Sequence, residues 1–158
     1  MNHVILQQPR RILFGDDVFE QTPAEVALLG GTRVFIVTTS FLLGPAEKLA
    51  AHLEDQSIAT RIFSDIEIEP DIALFERVLK AGRDFGFDLV VGLGGGSVLD
   101  VAKLVSALSQ GRQAVANTFG IGLLDGRDAG LICIPTTSGT GSEVSPNAIL
   151  LDETDQLK

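Results

Sequence analysis

One stretch near the middle of the chain joins a continuously apolar run to consecutive glycines and then to a helical pattern. It reads DLVVGLGGGSVLDVAKLVSAL and occupies residues 88–108. An apolar run without polar alternation is typical of a parallel strand that is covered on both faces, and VFIVT at 34–38 has the same character. Strand-like and helix-like segments alternate along the chain, which predicts an α/β fold with a mostly parallel sheet flanked by helices.

The same patterns place the individual elements. The predicted strands lie at 10–15, 33–39, 58–66, 89–94, 131–135 and 147–152. The predicted helices lie at 16–31, 45–56 and 69–86, and a further one follows the glycines. With 158 residues, of which 45% are hydrophobic, we expect one domain, spanning residues 1–158, with one core.

The charge balance narrows the choice of partners. The formal net charge is −9, which disfavours binding to nucleic acid or to anionic membranes because both depend on lysine and arginine. The N-terminus has no apolar stretch long enough for a signal peptide, so we expect a cytoplasmic protein. Cys133 is the single cysteine of the sequence, and its apolar neighbours predict a buried, inert thiol.

The glycine loop after the central strand has two interpretations. Glycines permit positive φ and the close approach of an anion. Ser97 is expected to cap the following helix with Asp100 three residues later, and a free helix N-terminus favours a phosphate. The alternative is a plain strand-to-helix turn, since the spacing G-x-G-x-x-S departs from the usual dinucleotide fingerprint. Lys103, one turn on, is expected to be a solvated helix residue.

A second loop, TTSGTGSE at 136–143, combines five hydroxyls with two glycines. Such a loop suits ribose and phosphate oxygens, and the alternative is a set of hydroxyl-capped turns. If the strands are parallel, this loop, the glycine loop and TTS at 38–40 share one edge of the sheet, where such folds bind ligands. No cluster of histidine, cysteine and acidic residues at metal-ligand spacing is present in the sequence.

The paired motifs GLGGGSVLDVAK at 92–103 and IPTTSGTGSEVSP at 134–146 strongly resemble the iron-containing (group III) alcohol dehydrogenase family. The resemblance covers the whole chain and implies a Rossmann-like domain that binds NAD or NADP. It also implies a divalent metal, Fe²⁺ or Zn²⁺, held in a separate helical domain that this chain does not contain. We therefore expect no catalytic and no metal-binding residue here, and an isolated chain that is inactive.

The resemblance also implies which residues bind the cofactor, first around the pyrophosphate and then along the cleft. They are Gly94, Gly95, Gly96, Ser97 and Asp100, followed by Thr136, Thr137, Thr140, Ile149 and Lys158. Thr39 stands where NAD-preferring members of the family place an aspartate on the adenosine ribose. The lack of a carboxylate at this position predicts that NADP is accepted.

The resemblance implies reversible hydride transfer between the cofactor and a small alcohol, aldehyde or ketone, and we expect the full-length form to be a homo-oligomer. Related activities stay open at this stage: a glycerol or polyol dehydrogenase, a maleylacetate reductase or a dehydroquinate-synthase-like lyase. A nucleotide-binding module without catalysis is the remaining alternative.

Overall fold

A computed structural model describes residues 8–66 and 69–152. Short 3-10 helices occur at Val18–Gln21, Ser40–Leu42 and Val115–Thr118. The strands are β1 (Arg33–Val37), β2 (Ala59–Phe63), β3 (Leu89–Gly94) and β4 (Gly130–Pro135). The helices are α1 (Thr22–Leu28), α2 (Leu43–Glu54), α3 (Ile72–Phe85) and α4 (Gly96–Leu108). Within these residues, no helix is both long and apolar enough to cross a membrane.

The four strands form one sheet in the order β2-β1-β3-β4. Every neighbouring pair of strands is parallel. Val34 lies opposite Leu89 in the β1–β3 pair, and Gly94 lies opposite Pro135 in the β3–β4 pair. Helices connect the successive strands and cover the two faces of the sheet. The predicted α/β, Rossmann-like architecture is confirmed.

Burial on both faces explains why the central strands lack polar alternation. All six residues of β3 and four of the five residues of β1 are buried. Phe35 and Val90 face the core that α3 and α4 close, whereas Ile36 and Val91 face the core on the α2 side. A strand that is covered on both faces of the sheet has no position at which a polar side chain could contact solvent.

Local sequence signals fix the ends of α3. The Asp71 carboxylate accepts a hydrogen bond of 2.6 Å from the backbone N–H of Leu74, which satisfies one free donor of the first turn. The helix ends at Gly86, whose φ of 74° lies in the left-handed region that glycine adopts without a Cβ penalty. These two signals place the helix inside the predicted range of 69–86.

Two predicted strands are wrong. The segment 10–15 has a strand-like composition but no strand to pair with among the described residues, and Phe14 is 99% exposed. Among the described residues, the segment 147–152 forms no named strand, and Leu151 makes a parallel bridge with Asp71. Pairing with the segment around Asp71 does not continue because that segment turns into a helix at Ile72.

Close packing of α4 on β3 depends on the absence of a side chain at Gly92. A Cβ at this position would lie 2.8 Å from the Cβ of Ala102 and 3.2 Å from the Cδ2 of Leu99. We predict that Gly92→Ala lowers the free energy of unfolding by about 1–3 kcal/mol, as overpacking does elsewhere. Urea denaturation measures the loss.

A double-mutant cycle tests the cause of that loss. Ala102→Gly alone costs about 1 kcal/mol because it places glycine in a helix. Combined with Gly92→Ala, it removes the clashing atom, so the double variant is expected to lose less than the sum of the two single losses. Simple additivity would show that the contact between the two positions does not cause the destabilisation.

Candidate functional site

The carboxyl ends of the strands meet at one edge, where three loops emerge. The backbone N–H of Thr38 donates to the carbonyl of Phe63 at 2.9 Å, and that of Thr136 donates to Gly94 at 3.0 Å. The buried Thr38 hydroxyl donates to the carbonyl of Leu93 at 2.7 Å. These bonds tie β1 to β2 and β3, and β3 to the segment after β4. The predicted shared edge is confirmed.

Helix α4 begins directly at this edge. Its N-cap is Gly95, with φ −78° and ψ −175°, and no side chain caps the helix. The backbone N–H groups of the first turn therefore point toward the edge without an intrahelical acceptor, and the helix dipole adds partial positive charge there. The predicted capping role of Ser97 is wrong, because Ser97 is the second residue of the helix and is exposed.

The glycines of this loop allow a neighbouring loop to approach closely, and they do not adopt an unusual backbone conformation. Gly94, Gly95 and Gly96 all have φ outside the left-handed region, so the loop does not use the positive φ that glycine permits. A Cβ on Gly95 would lie 3.3 Å from the Thr137 Oγ1, and one on Gly96 would lie 3.1 Å from the Thr140 Cγ2. The glycines allow the hydroxyl-bearing loop to lie against the N-terminus of α4.

The second loop uses its own glycines differently. Gly139 and Gly141 have φ of 111° and 64°, values that a side chain would strain. These turns leave Thr136, Thr137 and Thr140 exposed at the edge of the sheet. Thr137 and Thr140 lie beside Gly95 and Gly96 at the start of α4, and the Thr140 hydroxyl oxygen accepts a hydrogen bond of 3.3 Å from the backbone N–H of Ser142.

The Asp100 carboxylate joins α4 to the second loop. Its Oδ1 accepts a hydrogen bond of 2.6 Å from the Ser142 hydroxyl, and its Oδ2 accepts one of 3.1 Å from the backbone N–H of Ile149. Both oxygens are thus used within the protein. Asp100 does not cap Ser97, contrary to the expectation from their spacing.

The Lys103 ammonium group completes this connection. It lies 2.8 Å from Asp100, and both side chains are only 13% exposed. It donates to the carbonyls of Ser142 at 3.0 Å, Ser145 at 3.3 Å and Asn147. The expectation of a solvated lysine is wrong, since four acceptors surround the ammonium group.

The Asp100–Lys103 pair also determines how much net charge lies near the N-terminus of α4. A lone carboxylate on the first turns of α4 would repel an anion at the helix N-terminus. Here the ammonium group lies beside the carboxylate and compensates its charge. The edge is left with backbone N–H groups, hydroxyls and the helix dipole, an arrangement suited to a phosphate group.

Nothing in the described residues points to nucleophilic or metal chemistry. Cys133 is half-buried, less than the predicted burial, and desolvation raises the pKa of its thiol to about 11, so the thiol stays protonated at neutral pH. No group of three or more histidine, cysteine or acidic side chains in this part of the chain could hold a metal ion.

The structure gathers most of the sequence-predicted positions at one place. Around the N-terminus of α4 it brings together Gly94, Gly95, Gly96, Ser97, Asp100, Thr136, Thr137, Thr140 and Ile149. Thr39 lies apart from them, beyond the end of the neighbouring strand β1. Lys158 falls outside the described residues.

Sequence reasoning missed two residues that hold the site together. Ser142 and Lys103 fix the second loop to α4. The spacing of Asp100 and Lys103, three residues apart on a helix, is the signal that could have predicted the pair. No local pattern identifies which carbonyls the lysine reaches 39 to 44 residues later.

Comparisons with a family model and with known proteins agree on one protein family. The family model described as iron-containing alcohol dehydrogenase matches residues 9–158. Long-chain-alcohol dehydrogenase 1 of Geobacillus thermodenitrificans (strain NG80-2) is 35% identical over 145 residues, which is 89% of this chain and 37% of that protein. Sulfoacetaldehyde reductase of Bilophila wadsworthia (strain 3_1_6) is 32% identical, over 90% of this chain and 38% of that protein.

Solved structures agree with the sequence matches. A crystal structure of an iron containing alcohol dehydrogenase superposes with a TM-score of 0.85 at 32% identity, over 97% of this chain and 43% of the other. The chain therefore spans about two fifths of the length of the relatives that it matches.

The Lys103 ammonium group, whose side chain is only 13% exposed, generates a stability prediction. We expect Lys103→Met to lower the free energy of unfolding by about 3 kcal/mol, since it removes the counter-ion of the Asp100 carboxylate and the donor to three loop carbonyls. The matched control is Lys80→Met, which breaks an exposed ion pair with Asp84 and is expected to cost under about 0.5 kcal/mol. Urea denaturation compares the two, and equal losses would contradict a special role for Lys103.

Proposed function

The chain belongs to the iron-containing alcohol dehydrogenase family, and on that basis we propose that it binds NAD or NADP across the carboxyl edge of its sheet. It would form the cofactor-binding part of a longer, metal-dependent alcohol dehydrogenase. The reaction proposed for that enzyme is reversible hydride transfer between the cofactor and a small alcohol, aldehyde or ketone.

The N-terminus of α4 carries this proposal. Three glycines leave its amides open to a ligand, and a Cβ on Gly95 or Gly96 would crowd the threonines of the second loop. A pyrophosphate fits this cradle because backbone N–H groups and the helix dipole favour negative charge. In this proposal the hydroxyls of Thr137 and Thr140 would donate to its oxygens.

The strand order supports a proposed arrangement of the two halves of the cofactor. With the pyrophosphate at the end of β3, the adenosine half would extend over β1 and β2, and the nicotinamide half over β4 and the second loop. Thr39 would then face the adenosine, and Ile149 would line the nicotinamide side with its half-exposed side chain. The nicotinamide ring supplies the hydride acceptor or donor when the cofactor is bound.

A metal does not fit the described residues, because they contain no suitable group of ligands. The role proposed for this chain is to bind and orient the cofactor, and we expect the isolated chain to be inactive.

A charge placed at the cradle tests the proposed function. Ser97 is exposed on the first turn of α4, so Ser97→Asp sets a carboxylate beside the pyrophosphate. We predict at least a tenfold loss of NAD affinity, about 1.4 kcal/mol, measured by isothermal titration calorimetry. Stability should not fall, since an acidic residue in a first helical turn is favourable.

The control is Gln56→Glu, which makes the same charge change at the opposite edge, between α2 and β2. It is expected to leave NAD affinity unchanged. If both variants weaken binding equally, general repulsion from an acidic protein explains the loss. If wild-type chain binds neither NAD nor NADP, the proposed function is wrong.

A further inference from the structure

We infer that the Asp65 carboxylate contacts the adenosine ribose and makes the site prefer NAD over NADP. This inference rests on the proposed function and adds a specificity-determining residue to it. Sequence reasoning considered only position 39, where Thr39 offers no carboxylate. The structure brings a carboxylate to the same place from a different segment.

The backbone places Asp65 directly opposite Thr39. The two residues form an isolated antiparallel bridge just beyond the ends of β1 and β2. Directly opposed residues of an antiparallel pair project to the same face, with Cβ atoms about 4.5–5.5 Å apart. Thr39 is partly buried and Asp65 is exposed. The Asp65 carboxylate can therefore reach a group that a carboxylate at position 39 would contact.

The sheet order brings the ribose to this bridge. The pyrophosphate is proposed at the end of β3, and β1 and β2 are the next strands on one side. An adenosine that leaves the pyrophosphate in that direction passes the ends of β1 and β2, where Thr39 and Asp65 lie. Dinucleotide-binding sheets use an acidic residue at this point to accept hydrogen bonds from the ribose 2′-hydroxyl.

The charges of the two segments favour the same cofactor. Neither 34–47 nor 62–76 contains a lysine or arginine in the sequence. The 2′-phosphate of NADP carries roughly −1.5 to −2 charges at neutral pH, and sites that accept it supply an arginine. At this corner the phosphate would meet the Asp65 carboxylate and no cation from either segment. The 2′-hydroxyl of NAD can donate to that carboxylate.

Titration of both nucleotides against the purified chain tests the inference. Wild-type chain is expected to bind NAD at least tenfold more tightly than NADP. Asp65→Asn removes the charge and keeps the shape, so it is expected to reduce the NAD-to-NADP affinity ratio at least tenfold, mainly by strengthening NADP binding. Since Asp65 is exposed, the thermal unfolding midpoint should not change.

Asp55→Asn is the matched control, because Asp55 is an exposed aspartate at the opposite edge, after α2. It is expected to leave the ratio unchanged. Equal wild-type affinities for the two nucleotides, or a ratio that Asp65→Asn does not move, would overturn the assignment of Asp65. Absence of binding of either nucleotide would instead overturn the proposed function and this inference with it.

Discussion

The Lys103 ammonium group holds the functional edge of this protein together. It lies on α4, yet three of its contacts are carbonyls of the loop that follows β4. A charge that is only 13% exposed is costly unless it is paired and hydrogen-bonded. Asp100 and the carbonyls meet both conditions, so the pair stabilises one arrangement of the loop. The position of the threonines at the mouth of the site depends on that arrangement.

The same pair lets an acidic protein offer a site for an anion. The chain carries a net charge of −9, and long-range attraction cannot draw a phosphate to it. The attraction is local, from backbone N–H groups at the start of α4 and from hydroxyls across the glycines. The Lys103 ammonium group compensates the charge of the Asp100 carboxylate, and the glycines keep the space at the start of α4 open. Binding would thus depend on geometry within a few ångströms and little on overall charge.

Much of the fold could be predicted from the sequence because segments that are buried in the structure consist mainly of apolar residues. The apolar runs of β1 and β3 follow from coverage on both faces, and Asp71 and Gly86 mark the ends of α3 by local chemistry. The segments 10–15 and 147–152 have the same composition as strands, yet neither forms a named strand in the part of the chain that the structure describes. Pairing is a property of the tertiary structure, so composition alone overestimates the sheet.

The sequence motifs selected residues that the structure brings together, but the motifs did not predict the contacts that these residues make. Gly95 and Gly96 allow close packing against the second loop, and the Asp100 carboxylate accepts a hydrogen bond from it. Both roles depend on residues 40 to 50 positions away. The approach of Asp65 to Thr39 is likewise a contact between separate strand ends. Spacing along the chain cannot show such contacts.

A cradle formed by the first turn of α4 and the facing loop should bind the pyrophosphate of a dinucleotide. Amide chemical shifts of the ¹⁵N-labelled chain, followed by NMR during titration with NAD, test this most directly. We predict the largest shifts at 95–98 and 136–141, with the residues at the opposite edge unaffected. Largest shifts instead along the exposed face of α3, at Glu76, Arg77, Lys80 and Arg83, would contradict it.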